Sequence, residues 1–248
     1  MNTTDCILSN KFLFTGASAD NSFSGTDSES CFEKNLKTQP DDWYYRCNPV
    51  NYTFNSEGYR TFEFDTIDWA NAVVIIGGSD VVGVGLDSPH TISSQLEKLI
   101  NRPVINLGIS SSSIQCATYN ATILASGYPC PYAVIQLWSI PERTMLFAET
   151  QVAHIGCWTR GKINAHLESF FKQWIAGTNP QASALMHRKI SEQLWANRSQ
   201  HLEATLFKDT AVLFNCRFFK YYDYARDQIH PGIKTTAHIA AYFAEQLK

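Results

Sequence analysis

The chain has 248 residues, of which 44% are hydrophobic, so it can bury one sizeable core and is short for two full domains. Its 20 basic and 23 acidic residues give a formal charge of −3, and no run of five basic residues occurs. This balance argues against nucleic acid or an anionic membrane surface as the main partner, and it favours a neutral or polar small molecule.

Residues 1 to about 70 are rich in Ser, Asn, Asp and aromatic residues and show no sustained period. This composition predicts an irregular arm packed on a domain that residues 71–248 form. The first residues, MNTTDCILSNKFLFTGAS, lack the positive flank and long apolar core of a signal peptide, and no later stretch is a candidate membrane span. We therefore expect a soluble protein.

From residue 72 the pattern becomes regular, and apolar runs suggest four strands, at 73–77, 103–107, 133–138 and 211–215. The segments between them are long enough for helices. This alternation predicts a three-layer α/β/α, flavodoxin-like fold, with a parallel sheet and the site outside the carboxyl ends of the strands.

Helices are expected at 89–101 and from Pro231 to the end of the chain, because apolar residues recur there on one face. Residues 142–203 are expected to be largely helical, with breaks near Gly161 and at 177–180.

Cysteine and histidine spacing gives no sign of a metal site. The seven cysteines include no C-x-x-C pair, which predicts free thiols. Six of the seven histidines show no metal-ligand spacing: His90, His154, His166, His187, His201 and His238. We expect no metal ion and no cofactor.

The stretch AVVIIGGSDVVGVGLDSPH, residues 72–90, runs from a buried strand into Gly77, Gly78 and Ser79. It matches neither glycine-rich phosphate-binding motif, and Val81 stands where G-x-S-x-G needs its second glycine. Two interpretations stay open here. The glycines allow a turn and Ser79 caps the next segment, or Ser79 is a nucleophile at the end of a strand.

A second stretch, ARDQIHPG, places Asp227 three residues before His230 and directly ahead of the last helix. One short loop can therefore present a carboxylate and an imidazole side by side. A serine hydroxyl is a poor nucleophile until a base takes its proton, and a carboxylate orients that base. A capping aspartate and a surface histidine often produce the same pair, so the pair alone is weak.

Together these stretches resemble the SGNH hydrolase, or GDSL esterase/lipase, family over residues from about 50 to 248. Gly77-Gly78-Ser79 lies where the family has Gly-Asp-Ser, and the stretch DQIHP, 227–231, matches its Asp-x-x-His-Pro block. The stretch NSEGYR, 55–60, is similar to the Asn-x-x-Gly-x-Arg segment that precedes the first strand in some bacterial and phage members.

The resemblance implies that Ser79 is the nucleophile, that His230 is general base and then acid, and that Asp227 orients His230. It implies an oxyanion hole that includes the N–H groups of Ser79 and Gly108.

Two positions depart from the family pattern. Gly78 replaces the aspartate of the Gly-Asp-Ser block, and the strand YAVIQLWSIPERT lacks the asparagine of the family's Gly-x-Asn-Asp block. That asparagine is the third oxyanion donor in the family. Ser139 and Arg143 are the candidates to replace it, and Gln136 is also near the end of that strand.

We therefore expect a cofactor-free serine esterase that acts through an acyl-enzyme on a small acyl ester, with acetate on a carbohydrate as the preferred substrate. The expected location is the cytoplasm or a virion. Two alternatives stay open: an O-acyltransferase with the same triad, and a catalytically weak glycan-binding or virion-associated module. These motifs do not determine the oligomeric state.

Overall fold

The computed structural model describes residues 25–147, 152–157 and 165–248. Its strands in these ranges are β1 (Val73–Gly77), β2 (Val104–Gly108), β3 (Ala133–Trp138), β4 (Thr144–Phe147), β5 (Val152–Ile155), β6 (Gln200–Thr205) and β7 (Arg217–Phe218). Five of them form one parallel sheet in the spatial order β2-β1-β3-β6-β7. Strands β4 and β5 form a separate antiparallel pair.

The described helices are α1 (Glu29–Leu36), α2 (Ser79–Val82), α3 (Ile92–Ile100), α4 (Ile114–Gly127), α5 (Ala165–Gly177), α6 (Pro180–Trp195), α7 (Lys208–Phe214) and α8 (Ile233–Gln246). Helix α3 packs against α8, and α4 packs against α6. Within the described ranges, no helix combines the length and the apolar character that crossing a bilayer requires.

The core lies on both faces of the sheet, as β1 shows. All five of its residues are buried, and Val74 and Ile76 belong to the apolar cluster that includes α4 and α6 residues. Val73 and Ile75 belong to the opposite cluster, with α3 and α8. A strand that is covered on both faces needs a continuous apolar run, which is why this strand was readable in the sequence. The predicted three-layer α/β/α fold is confirmed.

The predicted fourth strand is wrong. Residues 211–215 lie in and just after α7, where Ala211 and Phe214 are buried against the core. The fourth strand of the parallel sheet is β6, whose sequence QHLEAT is mostly polar. Its first four residues are exposed or half-buried, so an apolar run was the wrong signal for it.

Several predicted boundaries also move. Strand β2 begins one residue later than expected, α3 begins at Ile92 with Thr91 as its cap, and α8 begins at Ile233. Residues 142–203 are only partly helical, because they contain β4, β5 and most of β6. The break at 177–180 is confirmed between α5 and α6, and the break near Gly161 lies outside the described residues.

Residues 25–71 contribute α1 and short 3-10 turns, and no strand lies in this range. A small apolar cluster joins them to the rest of the chain: Tyr45, Val50 and Tyr52 pack with Leu86 and Ala225. The boundary between arm and domain at residue 70 stays a prediction.

Candidate active site

Ser79 is the first residue of α2 and follows β1 after one residue. The N–H groups of Val81 and Val82 both donate to the carbonyl of Gly78, at 3.0 and 3.1 Å, so the chain turns sharply out of the strand. A Cβ on Gly77 would lie 2.7 Å from the carbonyl oxygen of Leu137 on β3. The close approach of β3 therefore requires glycine at position 77. Because Ser79 follows β1 directly after this turn, it lies at the carboxyl end of the sheet.

The structure brings Ser79, His230 and Asp227 into one hydrogen-bonded series. Nε2 of His230 lies 2.8 Å from Oγ of Ser79, and Nδ1 lies 2.5 Å from Oδ2 of Asp227. Because a carboxylate only accepts, Nδ1 carries the proton and the neutral ring accepts the serine hydroxyl at Nε2. This is the protonation pattern that a serine nucleophile with a histidine base requires.

A tight turn holds Asp227 and His230 together. Gln228 has a φ of 59°, and the N–H groups of Ile229 and His230 both donate to Oδ1 of Asp227, at 3.1 and 3.0 Å. The turn also rests on Gly85, where a Cβ would lie 3.2 Å from the backbone nitrogen of Asp227. The loop after Ser79 thus supports the loop that carries His230.

Arg60 stabilises the loop that contains Gly85. Its guanidinium donates to the carbonyl groups of Gly83, Leu86 and Asn51, each at 2.8 Å. Burial lowers the pKa of Arg60 to about 10, so the side chain remains a cation at neutral pH. The last residue of the NSEGYR stretch therefore braces the chain beyond Ser79.

The charges around His230 keep it a stronger base than an ordinary histidine. Burial lowers the pKa of His230, but the hydrogen bond to Asp227 and the negative charges of Asp80 and Asp227 outweigh burial and the nearby Arg143. The net pKa is raised. Burial also works against the charge of Asp227, yet the hydrogen bond from His230 and the other donors lower its pKa overall.

A cavity of about 760 Å³ opens beside Ser79. One side is formed by the segment around α1, and the other by the sheet end and the His230 turn. Its walls are formed by Gly25, Thr26, Cys31, Lys34, Asn35, Ser79, Val84, Ser110, Ser111, Arg143, Asp227, Ile229 and His230.

The structure does not support Gly108 as an oxyanion donor. Its N–H donates to Oδ1 of Asn106 at 2.9 Å, and a Cβ there would lie 2.6 Å from the nitrogen of Val82. The glycine therefore serves the packing of α2 on β2. The cavity wall is formed instead by the turn beyond it, with Ser110 and Ser111, where Ser111 has a φ of 64°.

The two candidates for the third oxyanion donor, Arg143 and Ser139, lie in different places. Arg143 borders the cavity, and its Nη1 lies 3.6 Å from where a Cβ on Gly78 would be. The guanidinium is thus within van der Waals range of the Gly78 position, and it also donates to the carbonyl of Ser112 at 3.4 Å. Ser139 is buried outside the cavity wall, where its carbonyl accepts from Thr210.

Gln136 lies inside the sheet, away from the site. It is fully buried, and its amide contacts Ser191 at 3.1 Å and His201 at 2.7 Å.

The sequence reasoning missed two residues that contact Asp227 or lie beside Ser79. Thr26 donates from Oγ1 to Oδ2 of Asp227 at 2.7 Å, across 201 positions of sequence. Asp80 is buried beside Ser79, where it accepts from the hydroxyl of Tyr221 at 3.3 Å. No period or motif marks Thr26, because it lies in the irregular arm.

No family model matches the chain, and no curated protein matches it. Solved structures do. A lipolytic protein of the G-D-S-L family from Desulfitobacterium hafniense is 14% identical, with 71% of this chain and 98% of that one covered and a TM-score of 0.45. AlinE4, an SGNH-hydrolase family esterase, is 13% identical over 73% of this chain and 97% of its own, with a TM-score of 0.37.

An acetyl xylan esterase from Butyrivibrio proteoclasticus is 12% identical, with 73% of this chain and 64% of that one covered and a TM-score of 0.41. Two of these three solved structures are described as G-D-S-L or SGNH-hydrolase proteins. The roles of individual residues in this chain depend on the geometry described above.

Proposed function

We propose that this protein is a serine carboxylic ester hydrolase. The observation that carries the proposal is the unbroken series of hydrogen bonds from Ser79 through His230 to Asp227 at the edge of an open cavity. A serine hydroxyl, a neutral imidazole and a buried carboxylate in this order are the parts of a general-base-activated nucleophile.

In the first half of the reaction, Oγ of Ser79 attacks the ester carbonyl while Nε2 of His230 takes its proton. The imidazolium is stabilised by Asp227 and then donates that proton to the leaving alcohol. An acyl-enzyme remains on Ser79. In the second half, His230 takes a proton from water, the hydroxide attacks the acyl group, and Ser79 leaves with the proton restored.

The oxyanion forms near the first turn of α2. The N–H of Ser79 donates to no described residue, so we assign it as one donor. We place the second among the N–H groups of the Ser110–Ser111 turn, and we assign Arg143 as the positive charge that replaces the missing asparagine. Donors of this kind act mainly on the transition state, where the oxygen carries its charge.

The cavity wall favours a small acyl group on a polar alcohol. Val84 and Ile229 are the aliphatic side chains among its described residues. The exposed atoms of the wall are mostly apolar, but hydroxyl, amide and charged groups lie among them. A long acyl chain needs a continuous apolar surface to be bound, because the free energy of its burial scales with apolar area. An acetyl ester of a carbohydrate is therefore the substrate class that we propose.

The test is turnover of p-nitrophenyl esters of increasing chain length by the wild type and by S79A. We expect acetate to be hydrolysed fastest and S79A to lose turnover, whereas S126A, an exposed serine on α4, keeps it. Acetylated oligosaccharides then test the alcohol. No ester turnover together with intact glycan binding would instead identify a binding module, and acetyl transfer outpacing hydrolysis would identify an acyltransferase.

A further inference from the structure

A hydroxyl group from the N-terminal arm contacts the carboxylate of the proposed triad. Thr26, which precedes α1, donates from Oγ1 to Oδ2 of Asp227 at 2.7 Å. The same oxygen accepts the Nδ1 proton of His230. The hydroxyl of Ser79 and the hydroxyl of Thr26 therefore lie at opposite ends of one hydrogen-bonded series.

Thr26 differs from the other donors to this carboxylate. The side chain of Asp227 is 0% exposed, and its Oδ1 accepts from the N–H groups of Ile229 and His230. Those groups and the imidazole all belong to the turn 227–230 itself. Among the described residues, Thr26 supplies the one hydrogen bond that ties the carboxylate to a different part of the chain.

The segment around Thr26 is held firmly against this turn. Its neighbour Asp27 is buried and accepts two hydrogen bonds from Arg226, at 2.8 and 2.9 Å. The hydroxyl of Tyr52 donates a further short hydrogen bond to Asp27. Because Arg226 directly precedes Asp227, this ion pair fixes the distance between the Thr26 hydroxyl and the carboxylate.

We propose that Thr26 is a positioning residue for Asp227, so that the N-terminal arm supplies a fourth member of the catalytic series. This inference rests on the proposed ester hydrolase function. Thr26 acts through the carboxylate and touches no reacting atom. Its hydrogen bond takes up part of the negative charge on Oδ2 and keeps that oxygen aligned with the Nδ1 proton.

Two effects follow when the hydroxyl is removed. The carboxylate loses its alignment, so His230 is less well placed to take the serine proton. The unshared charge on Oδ2 also holds the Nδ1 proton more strongly, so the imidazolium is favoured. The other charged groups that act on His230, Asp80 beside Ser79 and Arg143 after β3, stay unchanged.

The experiment compares T26V, which keeps the shape of the side chain, with T26S, which keeps the hydroxyl. We expect T26V to lower kcat about 10-fold with little change in KM, because a misaligned base affects the chemical step and valine keeps the shape of the cavity wall that Thr26 lines. The pH at which kcat/KM rises should move upward. T26S should restore both values.

T38V is the matched control, because Thr38 lies in the same arm and its hydroxyl bonds only to the carbonyl of Asn35 among the described residues. It should leave kcat and the pH profile unchanged. A T26V protein that keeps the wild-type kcat and pH profile, or a T26S protein as impaired as T26V, would overturn the proposal.

Proton NMR separates this proposal from the ester hydrolase function, since it needs no turnover. The Nδ1 proton of His230 should give a downfield resonance in the wild type that moves in T26V and returns in T26S. An unmoved resonance in folded T26V would overturn the positioning role even if the esterase activity is present. Absent ester turnover with a shifted resonance would overturn the proposed function and keep the contact.

Discussion

At the scale of single residues, the raised pKa of His230 sets the pH dependence. The imidazole acts as a base only when it is neutral, that is, above its pKa. Because the hydrogen bond to Asp227 and the charge of Asp80 together outweigh burial, the rise in kcat/KM should be centred above the ordinary histidine value of about 6.5. The measurement is kcat/KM for a neutral ester between pH 5 and 9. A flat profile would exclude His230 as the base.

Asp80 allows a second pH measurement. D80N removes a buried negative charge near His230 and keeps a side chain that accepts from Tyr221. We expect the rise in kcat/KM to move to lower pH, since the imidazolium loses a stabilising charge. D209N, an exposed substitution at the start of α7, serves as the control and should leave the profile in place. An upward shift in D80N would contradict this electrostatic account.

Arg143 and Ser139 can be separated by kinetics. R143A should lower kcat by about 10²-fold with little change in KM, because the oxyanion charge exists mainly in the transition state. S139A should change kcat by much less, since Ser139 lies outside the cavity wall. If R143A mainly raises KM, and does so for anionic esters alone, Arg143 binds a substrate anion and is not the oxyanion donor.

Individual site residues were predictable to different degrees. Ser79, His230 and Asp227 were readable because each lies in a short motif beside a strand end or a helix start. Gly108 was selected by residue type, and the side chain of Asn106 that engages its N–H could not be placed without the fold. Arg143 could be separated from Ser139 only after the structure showed which one borders the cavity.

At the scale of elements, the turn from β1 into α2 depends on glycine at position 77. G77A would place a methyl group 2.7 Å from the carbonyl oxygen of Leu137, which is backbone and cannot rotate away. We expect the free energy of unfolding to fall by about 1–3 kcal/mol, the range for an overpacked core. Urea denaturation monitored by fluorescence measures this value.

G177A is the control for that measurement. A Cβ on Gly177, at the end of α5, meets nothing within 4 Å. This variant should not lose stability and can gain up to about 1 kcal/mol from better helix propensity. Equal losses in G77A and G177A would show that close packing against β3 does not explain the glycine.

Strands were predictable where their burial produces a recognisable apolar pattern in the sequence. Strands β1 and β3 are buried along their whole length, and apart from Gln136 in β3 their sequences are continuous apolar runs. Strand β6 pairs with β3 through backbone hydrogen bonds that any sequence can make. Because most of its side chains are polar, it lacks the apolar run from which the other strands were predicted. The apolar run at 211–215 was wrongly predicted to be a strand, because a short buried helix and a buried strand can share one apolar pattern.

At the scale of the whole molecule, the ion pair between Asp27 and Arg226 joins the N-terminal arm to the loop before the last helix. Their side chains are 1% and 12% exposed, so the pair is largely desolvated. D27N leaves the Arg226 charge without its carboxylate, and we expect the free energy of unfolding to fall by about 3 kcal/mol or more. Chemical denaturation of D27N, R226Q and the double variant gives the coupling between the two residues.

An exposed ion pair provides the comparison. Lys172 and Glu168 are 2.8 Å apart on α5, with 62% and 29% of their side chains exposed. E168Q should therefore cost less than about 1 kcal/mol. A similar cost for D27N and E168Q would contradict a structural role for the buried pair.

The contacts between the arm and the His230 turn were not predictable from the sequence. Thr26 and Asp27 lie about 200 positions from their partners, in a segment without period or motif. The sequence indicated that residues 1 to about 70 differ from the rest and gave no sign of where they pack. Such contacts depend on the folded path of the chain, which local patterns do not contain.

The most direct test of the central claim is covalent labelling with a fluorophosphonate, followed by peptide mass spectrometry. The reagent reacts with a serine whose hydroxyl is activated by a neighbouring base, and Ser79 is 2.8 Å from Nε2 of His230. We predict a single adduct on Ser79 that is lost in S79A and strongly slowed in H230A. Labelling of one of the serines 110–113, or equal labelling with and without His230, would contradict the account.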